Sequence, residues 1–291
     1  MTNYTEGDWT QGVEWRVESV KGSAFSKQGT LQATVRQGDV AQIGGIECSL
    51  GEIEEPTQLR LTLTSGEDEN YNLWVFPRVE EPREDAIYTC TWLDQRARQT
   101  LQQGGSVLLV PGHKRVAEQS VGGLFTPDYW NYAMFKSISE NAGKEVSPGT
   151  LSLMMDADHP LFEAFPTEHH SNWQWWSIVR ASRPMILNST RHDYKPLIQV
   201  VDNVERNHKL GLLFEFAVDK GRVLVCMSDL EAVASTVEGR QFRRAIVQYM
   251  TSDKFAPTER LTAGELERLL TADVTERQIV GVANLSNYDV Q

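Results

Sequence analysis

The stretch from Lys209 to Leu230, KLGLLFEFAVDKGRVLVCMSDL, contains two apolar runs separated by Asp219, Lys220 and Gly221. Asp and Gly are favoured in the short turns that join antiparallel strands, because they tolerate the backbone angles that such turns require. The stretch therefore predicts a β-hairpin of two largely apolar strands. The chain on either side of this hairpin decides which kind of domain contains it.

From Ala86 onward, short apolar runs alternate with amphipathic ones, as is typical of α/β domains. Gly104 and Gly105 end the first amphipathic stretch directly before the continuous apolar run Val107–Val110. A run bounded in this way fits a strand buried on both faces of a parallel sheet. The amphipathic stretch GRQFRRAIVQYM follows the hairpin as a helix. We expect residues 83–257 to form a three-layer α/β domain of the flavodoxin-like or class I glutamine amidotransferase-like type.

The first eighty residues have a different pattern, in which apolar and polar residues alternate with a period of two. This alternation runs through VEWRVESV, TLQATVRQ, QLRLTLTS and YNLWVFP and predicts half-buried antiparallel strands. The fold class is thus α/β with an all-β N-terminal part, in which residues 1–82 form a β-sandwich. These strands are few for a closed sandwich, so an incomplete one is expected.

The chain after Pro257 is expected to form a short helix followed by a loosely packed tail, over residues 258–291. Thr262 and Glu265 have the spacing of a capping box, which marks the start of the helix TAGELERLL. The residues after that helix show no pattern of a further element, and chain ends of this kind are often poorly ordered.

Composition excludes some classes of partner. The formal net charge is −12, with 28 basic and 40 acidic residues, and no basic run offers an exception, so a nucleic acid is not expected as a partner. No run approaches the roughly 18 to 20 apolar residues of a membrane span, so a membrane is not expected either. The N-terminus shows no secretory signal, and it leaves the localisation open. The three cysteines lack the spacing of a zinc site and are expected to be buried free thiols.

The segment HHSNWQWWSIV, from His169 to Val179, concentrates aromatic and polar side chains. A helix beginning near Ser171 would place Trp173, Trp176 and Arg180 on one face and Trp175, Ile178 and Val179 on the neighbouring face. At least one indole is then expected in the core, and another at a domain junction or a ligand. The candidates for contact with carbohydrate or with another domain are Trp130, Asn131, His169, His170, Asn172, Trp173, Trp175 and Trp176. We expect His169 and His170 to cap or orient the helix.

Two polar groups follow predicted strands, where ligands of open α/β sheets often bind. Ser228 and Asp229 follow the second strand of the hairpin, and they are equally able to cap the next helix. Cys226 lies in the same strand, but no glycines flank it as a nucleophile's tight turn would need, so a core thiol is expected.

Asp156, Asp158 and His159 follow the apolar run of MMDADHPLF. The simplest interpretation is a turn in which Asp158 caps a helix that begins with Pro160. A metal site that combines Asp156 and His159 with His169 and His170 is a weaker alternative. We therefore expect no metal and no cofactor.

Several motifs together resemble the C-terminal portion of large bacterial enzymes of glycoside hydrolase family 2, the β-galactosidase-like group. The longest of them is GTLSLMMDADHPLFEAFPTEHHSNWQWW, which spans residues 149–176. The others are NYTEGDW, VEWRV, VRQGDVAQIGGIECSL, NYNLWVFP, TPDYWNYAMF, LIQVVDN and the hairpin stretch quoted above. The resemblance extends over nearly the whole chain to about Pro257.

The resemblance implies a non-catalytic accessory module that lies downstream of a catalytic (β/α)8 barrel. In that family the barrel carries the acid/base glutamate in an Asn-Glu dipeptide, and this chain contains no such dipeptide. A barrel also needs about 250 residues of alternating strand and helix. No catalytic residue can be carried over. The implied partners are the barrel and other domains of the parent glycosidase, with carbohydrate as a further candidate. A secreted parent would place the chain in the periplasm or outside the cell.

Two other functions are compatible with the sequence. One is an autonomous hydrolase or amidotransferase-like enzyme that works at the strand ends near Ser228 and Asp229. The other is a free-standing carbohydrate-binding protein that uses Trp130, Trp173, Trp175 or Trp176.

Overall fold

The computed structural model describes residues 1–21, 25–78, 84–123, 132–144, 146–204 and 206–272. The chain divides into two compact units. The first extends to residue 80 and includes residues 164–166, and the second contains the remaining described residues.

The first unit contains one antiparallel sheet with the strand order β2-β1-β3-β4. Its strands are β1 (Trp9–Ser19), β2 (Ser26–Val35), β3 (Thr57–Thr64) and β4 (Asp68–Val75). The predicted alternation is present, since Val13 and Val17 of β1 are buried whereas Glu14 and Arg16 between them are exposed. Side chains alternate across a strand, so the buried valines of β1 share one apolar face of this sheet.

The apolar face carries the core of the first unit, in which Val17 and Leu59 pack with Phe25 and Ile53 from the connecting loops. A sandwich requires two facing sheets, and the described residues of this unit supply one. The alternating pattern was sufficient to predict antiparallel strands, but it did not show how many sheets they would form.

The described residues of the second unit form a mixed sheet of eight strands. Six of them follow the order β5-β6-β11-β10-β9-β7, and β8 and β12 each pair with β10. The strands are β5 (Ile87–Cys90), β6 (Ser106–Leu109), β7 (Ser152–Met155), β8 (Met185–Ile186), β9 (Ile198–Val201), β10 (Leu210–Val218), β11 (Gly221–Cys226) and β12 (Arg260–Leu261). β5, β6 and β11 are parallel, whereas β10, β9 and β7 continue the sheet with antiparallel pairs.

The two elements predicted most directly from sequence are confirmed. β10 and β11 form the hairpin, with Val218 paired to Gly221 and Asp219 in the left-handed region at a φ of 53°. β6 is buried at every position and lies between two parallel neighbours. Gly104, which ends the preceding helix, has a φ of 89°, a conformation that costs a glycine little.

Five α-helices accompany this sheet in the described residues. They are α1 (Gln95–Gln102), α2 (Tyr132–Asn141), α3 (Trp176–Arg180), α4 (Val237–Thr251) and α5 (Ala263–Thr271). Leu101 of α1 and Leu266 and Leu270 of α5 pack into one apolar cluster with residues of β6, β10 and β11. The helix predicted after residue 258 therefore contributes to the core of the second unit, while the predicted tail from residue 273 onward lies outside the described residues. Among the helices described, none combines the length and hydropathy that crossing a bilayer requires.

The capping box predicted for α5 is present. The hydroxyl of Thr262 accepts from the amide of Glu265, and the Glu265 carboxylate accepts from the amide of Thr262. Replacing Thr262 with alanine is expected to lower the free energy of unfolding by about 1 kcal/mol, because the amide of Glu265 loses its partner. Urea denaturation followed by circular dichroism measures this change. Thr271→Ala at the other end of α5 is the control and should change stability by less than about 0.5 kcal/mol. Equal effects of the two substitutions would contradict the role of the cap.

Candidate functional site

The tryptophan-rich segment folds as a short 3-10 helix, Trp173–Trp175, that continues into α3. Asn172 is its N-cap, and the side-chain oxygen of this residue accepts from the amide of Gln174. The cap is therefore Asn172 and neither His169 nor His170, and the alternative that these histidines orient the helix stays a prediction. An asparagine directly before the first turn is better placed, because its short side chain reaches the free amides of that turn.

Trp175 belongs to the core of the second unit. Its side chain is 1% exposed, and its Nε1 donates to the hydroxyl of Thr167 at 2.9 Å. The rings of Phe162 and Phe242 meet it edge to face, with centroids at 6.4 and 5.5 Å. Ile178 and Val179 are buried with it, as the helical spacing predicted. The Trp175 indole is thus unable to contact a ligand without unfolding its surroundings.

Trp173 and Trp176 lie on the opposite side, with 59% and 55% of their surfaces exposed. The guanidinium carbon of Arg180 lies 5.5 Å from the ring centroid of Trp176. All three residues are exposed, and we call them the indole platform. The hydroxyl of Ser177 donates to Glu238 at 2.8 Å and ties α3 to the first turn of α4. The helix that carries the platform is therefore fixed to α4 by a hydrogen bond.

The two histidines lie beside this segment and do not converge on a common point with Asp156. Nδ1 of His169 lies 3.2 Å from the carbonyl oxygen of Met155, at the end of β7. Nε2 of His170 lies 3.7 Å from the carboxylate of Glu168, which also accepts from Asn172. Within the described ranges, no group of three or more His, Cys, Asp or Glu side chains is arranged to hold a metal ion. Trp130 and Asn131 lie outside the described residues.

The strand end after β11 is occupied by structural contacts. Ser228 is fully buried, and its hydroxyl donates to the carbonyl oxygen of Ile178 at 2.9 Å. Asp229 accepts from the amides of Glu231 and Ala232, so it caps the turn that follows, whereas Thr236 caps α4 itself.

Cys226 is fully buried, and burial raises the pKa of its thiol to about 12. A buried thiol of this kind is a poor nucleophile, because the reactive species is the thiolate. The structure therefore agrees with the expectation of a core thiol at this position.

The segment after β7 forms the predicted turn before a short helix. The carboxylate of Asp156 accepts from the amide of Asp158, and Pro160 begins a 3-10 helix that extends to Glu163. Nδ1 of His159 accepts from the amide of Leu161 in the first turn of this helix. The ring of His159 is half-buried, and desolvation lowers its pKa.

His159 lines an open cleft of about 520 Å³ that sequence analysis did not predict. Glu215 and Tyr249 are also part of its lining. The cleft lies beside the part of β10 that pairs with neither β9 nor β12. β9 pairs with β10 only as far as Leu213, and β12 joins at Ala217.

Glu215 is the unusual group of this cleft, because it is a carboxyl in the middle of a buried strand. Its Oε2 accepts from the hydroxyl of Tyr249 at 2.9 Å. Desolvation raises the pKa of Glu215 to about 7, although the hydrogen bond from Tyr249 acts in the opposite direction. Burial and the neighbouring carboxylate also raise the pKa of the Tyr249 hydroxyl. The signal was present in the sequence, since a single glutamate interrupts the apolar run LGLLFEFAV.

The geometry defines a class of protein: an antiparallel β unit followed by a mixed α/β unit that carries an exposed indole platform and a cleft with a half-buried carboxyl. Residues 88–271 match the family described as a domain of unknown function, DUF8487, and the chain belongs to this family. Residues 1–77 match a second family model, described as a domain of unknown function, DUF8488. The second match falls within the first unit, and the first match covers much of the second unit together with residues 164–166 of the first. No curated protein matches this chain.

Proposed function

We propose that this chain is a non-catalytic accessory module of a family 2 glycoside hydrolase, and that it contacts carbohydrate through the indole platform. The observation that carries the contact is the pair of exposed indoles, Trp173 and Trp176, on a helix whose third tryptophan is locked in the core. The motifs that resemble the family support the parent enzyme. The proposal concerns a supporting role in domain assembly together with a surface for the glycan.

Exposed indoles favour contact with a sugar ring, because covering a large apolar surface lowers the free energy of the system. A pyranose ring presents C–H groups to an aromatic face and hydroxyls at its rim. Trp176 offers such a face, and Arg180 beside it supplies N–H donors for the hydroxyls. The exposed ring of His170 adds a further hydrogen-bonding group, whereas the side chain of Asn172 is engaged with Gln174 and Glu168.

A non-catalytic role is supported by the burial and the contacts of the polar residues in and after β11. A nucleophile must reach its substrate, and both Ser228 and Cys226 are fully buried. Asp229 is engaged with two backbone amides. These contacts argue against an autonomous hydrolase or amidotransferase-like enzyme that would use this end of the sheet.

We also propose that the second unit is a variant of the flavodoxin-like, three-layer α/β type. The parallel strands β5, β6 and β11 and the packing of α1 and α5 on one face support this assignment. Residues of β6 and β11 that point to the other face, such as Leu108 and Leu224, are equally buried. α4 contacts β5 and α3 and is a candidate for the layer that covers them. The antiparallel strands β9 and β7 are the departure from that type.

The test of the platform is binding of the purified chain to a panel of cello-, xylo-, manno- and galacto-oligosaccharides, measured by calorimetry. Trp173→Ala and Trp176→Ala are each expected to weaken binding by about fivefold to tenfold, as the loss of roughly 1 kcal/mol of aromatic contact implies. Tyr4→Ala is the matched control, because Tyr4 is 87% exposed in the first unit. Unchanged affinity in the double tryptophan variant, or no binding of any oligosaccharide by the wild type, would refute the platform.

A further inference from the structure

The cleft at β10 brings together polar groups from three separate elements. Glu215 comes from β10, Tyr249 from α4, and His159 from the segment that precedes the 3-10 helix Pro160–Glu163. Oε2 of Glu215 accepts from Tyr249, whereas Oε1 has no hydrogen-bond partner among the described residues. One carboxyl oxygen therefore remains for a ligand.

His159 supplies a donor of defined orientation. Its Nδ1 accepts from the backbone amide of Leu161 at 3.2 Å, so this nitrogen carries no proton. The neutral ring then carries its proton on Nε2, which has no hydrogen-bond partner in the described part of the chain. The ring of Tyr249 lies edge to face with that of His159, at a centroid distance of 5.2 Å, and restricts its rotation.

The charges around the cleft largely neutralise one another. Arg191 pairs with Asp193 at 2.7 Å and lies 3.7 Å from Glu259. Lys254, which also lines the cleft, pairs with Glu163 at 2.5 Å. Lys195 is the one lining cation without an ion pair in the described ranges, and it is exposed to water. The cleft therefore offers hydrogen bonds rather than a strong field of either sign.

We propose that this cleft binds a neutral polyhydroxylated ligand, of the size of one or two sugar units, through hydrogen bonds to Glu215, Tyr249 and His159. The side chains provide an acceptor, a hydroxyl and a donor within one concave surface. A volume of about 520 Å³ lies within the range of roughly 300 to 1,000 Å³ that is usual for small-molecule sites. A few convergent polar groups in such a surface are what fixes the orientation of a ligand.

Other classes of ligand fit less well. A metal ion lacks a suitable set of three ligands in the described part of the chain. A phosphate would face the carboxylates of Glu215 and Glu259, and an ammonium group would face Lys195 and Lys254. A hydroxyl group is able to donate to a carboxylate and accept from Nε2 of a histidine without either conflict.

The site is independent of the indole platform, because the two share no residue. We therefore separate them with a set of short probes, the methyl glycosides of glucose, galactose, mannose and xylose, in calorimetry and ligand-observed NMR. The platform-free variant Trp173→Ala/Trp176→Ala should bind its preferred methyl glycoside as the wild type does. Tyr249→Phe and Glu215→Leu should each weaken that binding by at least about tenfold, the cost of a lost hydrogen bond to a charged or buried group.

Tyr249→Phe removes only a hydroxyl and keeps the aromatic contacts, so this variant is expected to fold like the wild type. Thermal melting checks the fold of every variant. Glu118→Gln, at an exposed position of the second unit that does not line the cleft, is the matched control and should bind within about twofold of the wild type. Three results would overturn the proposal: no methyl glycoside binds, the cleft variants bind normally, or inorganic phosphate or ammonium competes at lower concentration than any glycoside. Weaker oligosaccharide binding in the tryptophan variants, together with normal methyl glycoside binding in Tyr249→Phe and Glu215→Leu, would support the platform and reject the cleft.

Discussion

Replacing Trp175 with alanine is expected to lower the free energy of unfolding of the second unit by about 3 to 5 kcal/mol. The indole is 1% exposed and fills the space between Phe162 and Phe242. Its removal leaves a cavity, and it also leaves the hydroxyl of Thr167 without the donor that now lies at 2.9 Å. Chemical denaturation followed by far-ultraviolet circular dichroism measures the loss.

The neighbouring indoles provide the control for this result. Trp173→Ala and Trp176→Ala remove side chains of the same size from exposed positions, and each should change stability by no more than about 0.5 to 1 kcal/mol. A similar loss in all three variants would mean that the segment is packed on every side. Such a result would also remove the basis for the indole platform.

The second large effect is a dependence of stability on pH that Glu215 introduces. Burial raises its pKa from the ordinary value of 4.5 to about 7 in the folded protein. The folded state then binds more protons than the unfolded state between these two values, so the free energy of unfolding falls as pH rises through this window. The full difference corresponds to about 3 kcal/mol, and access of water to the cleft makes this an upper bound.

Glu215→Gln isolates that contribution, because an amide of the same shape does not ionise. The variant and the wild type should be about equally stable near pH 4.5, and the variant should become more stable by about 1 to 3 kcal/mol near pH 8. His159 acts in the opposite direction in the wild type, since its pKa is lowered by burial, but it is present in both proteins and cancels in the comparison. Urea titrations at several pH values measure the difference.

Glu6→Gln, at an exposed position of the first unit, is the control and should show a constant difference from the wild type. A stability difference between Glu215→Gln and the wild type that does not grow between pH 5 and pH 8 would contradict the raised pKa. It would leave the hydrogen bonds of the cleft in place, so the binding experiment and the stability experiment have separate outcomes.

The sequence by itself determined the elements whose signals are local. The period of two in β1, the turn residues between β10 and β11, and the capping box of α5 each specify a backbone conformation within a few residues. The helical period also separated Trp175 from Trp173 and Trp176, because residues on one face of a helix share one environment. The sequence did not identify the N-cap, because Asn172 and the two histidines are all polar residues close to the start of the same helix.

Tertiary structure alone decided which elements became neighbours. The cleft is a consequence of that arrangement. A periodic pattern shows that a face is apolar without showing what covers it. The single sheet in the described residues of the first unit and the antiparallel strands β9 and β7 were therefore not predictable. The cleft depends on where β9 stops pairing with β10, and it gathers Glu215, Tyr249 and His159 from positions far apart in the chain. The pKa of a carboxyl responds to the water and charges around it in space, so Glu215 became a candidate only when its neighbours were known.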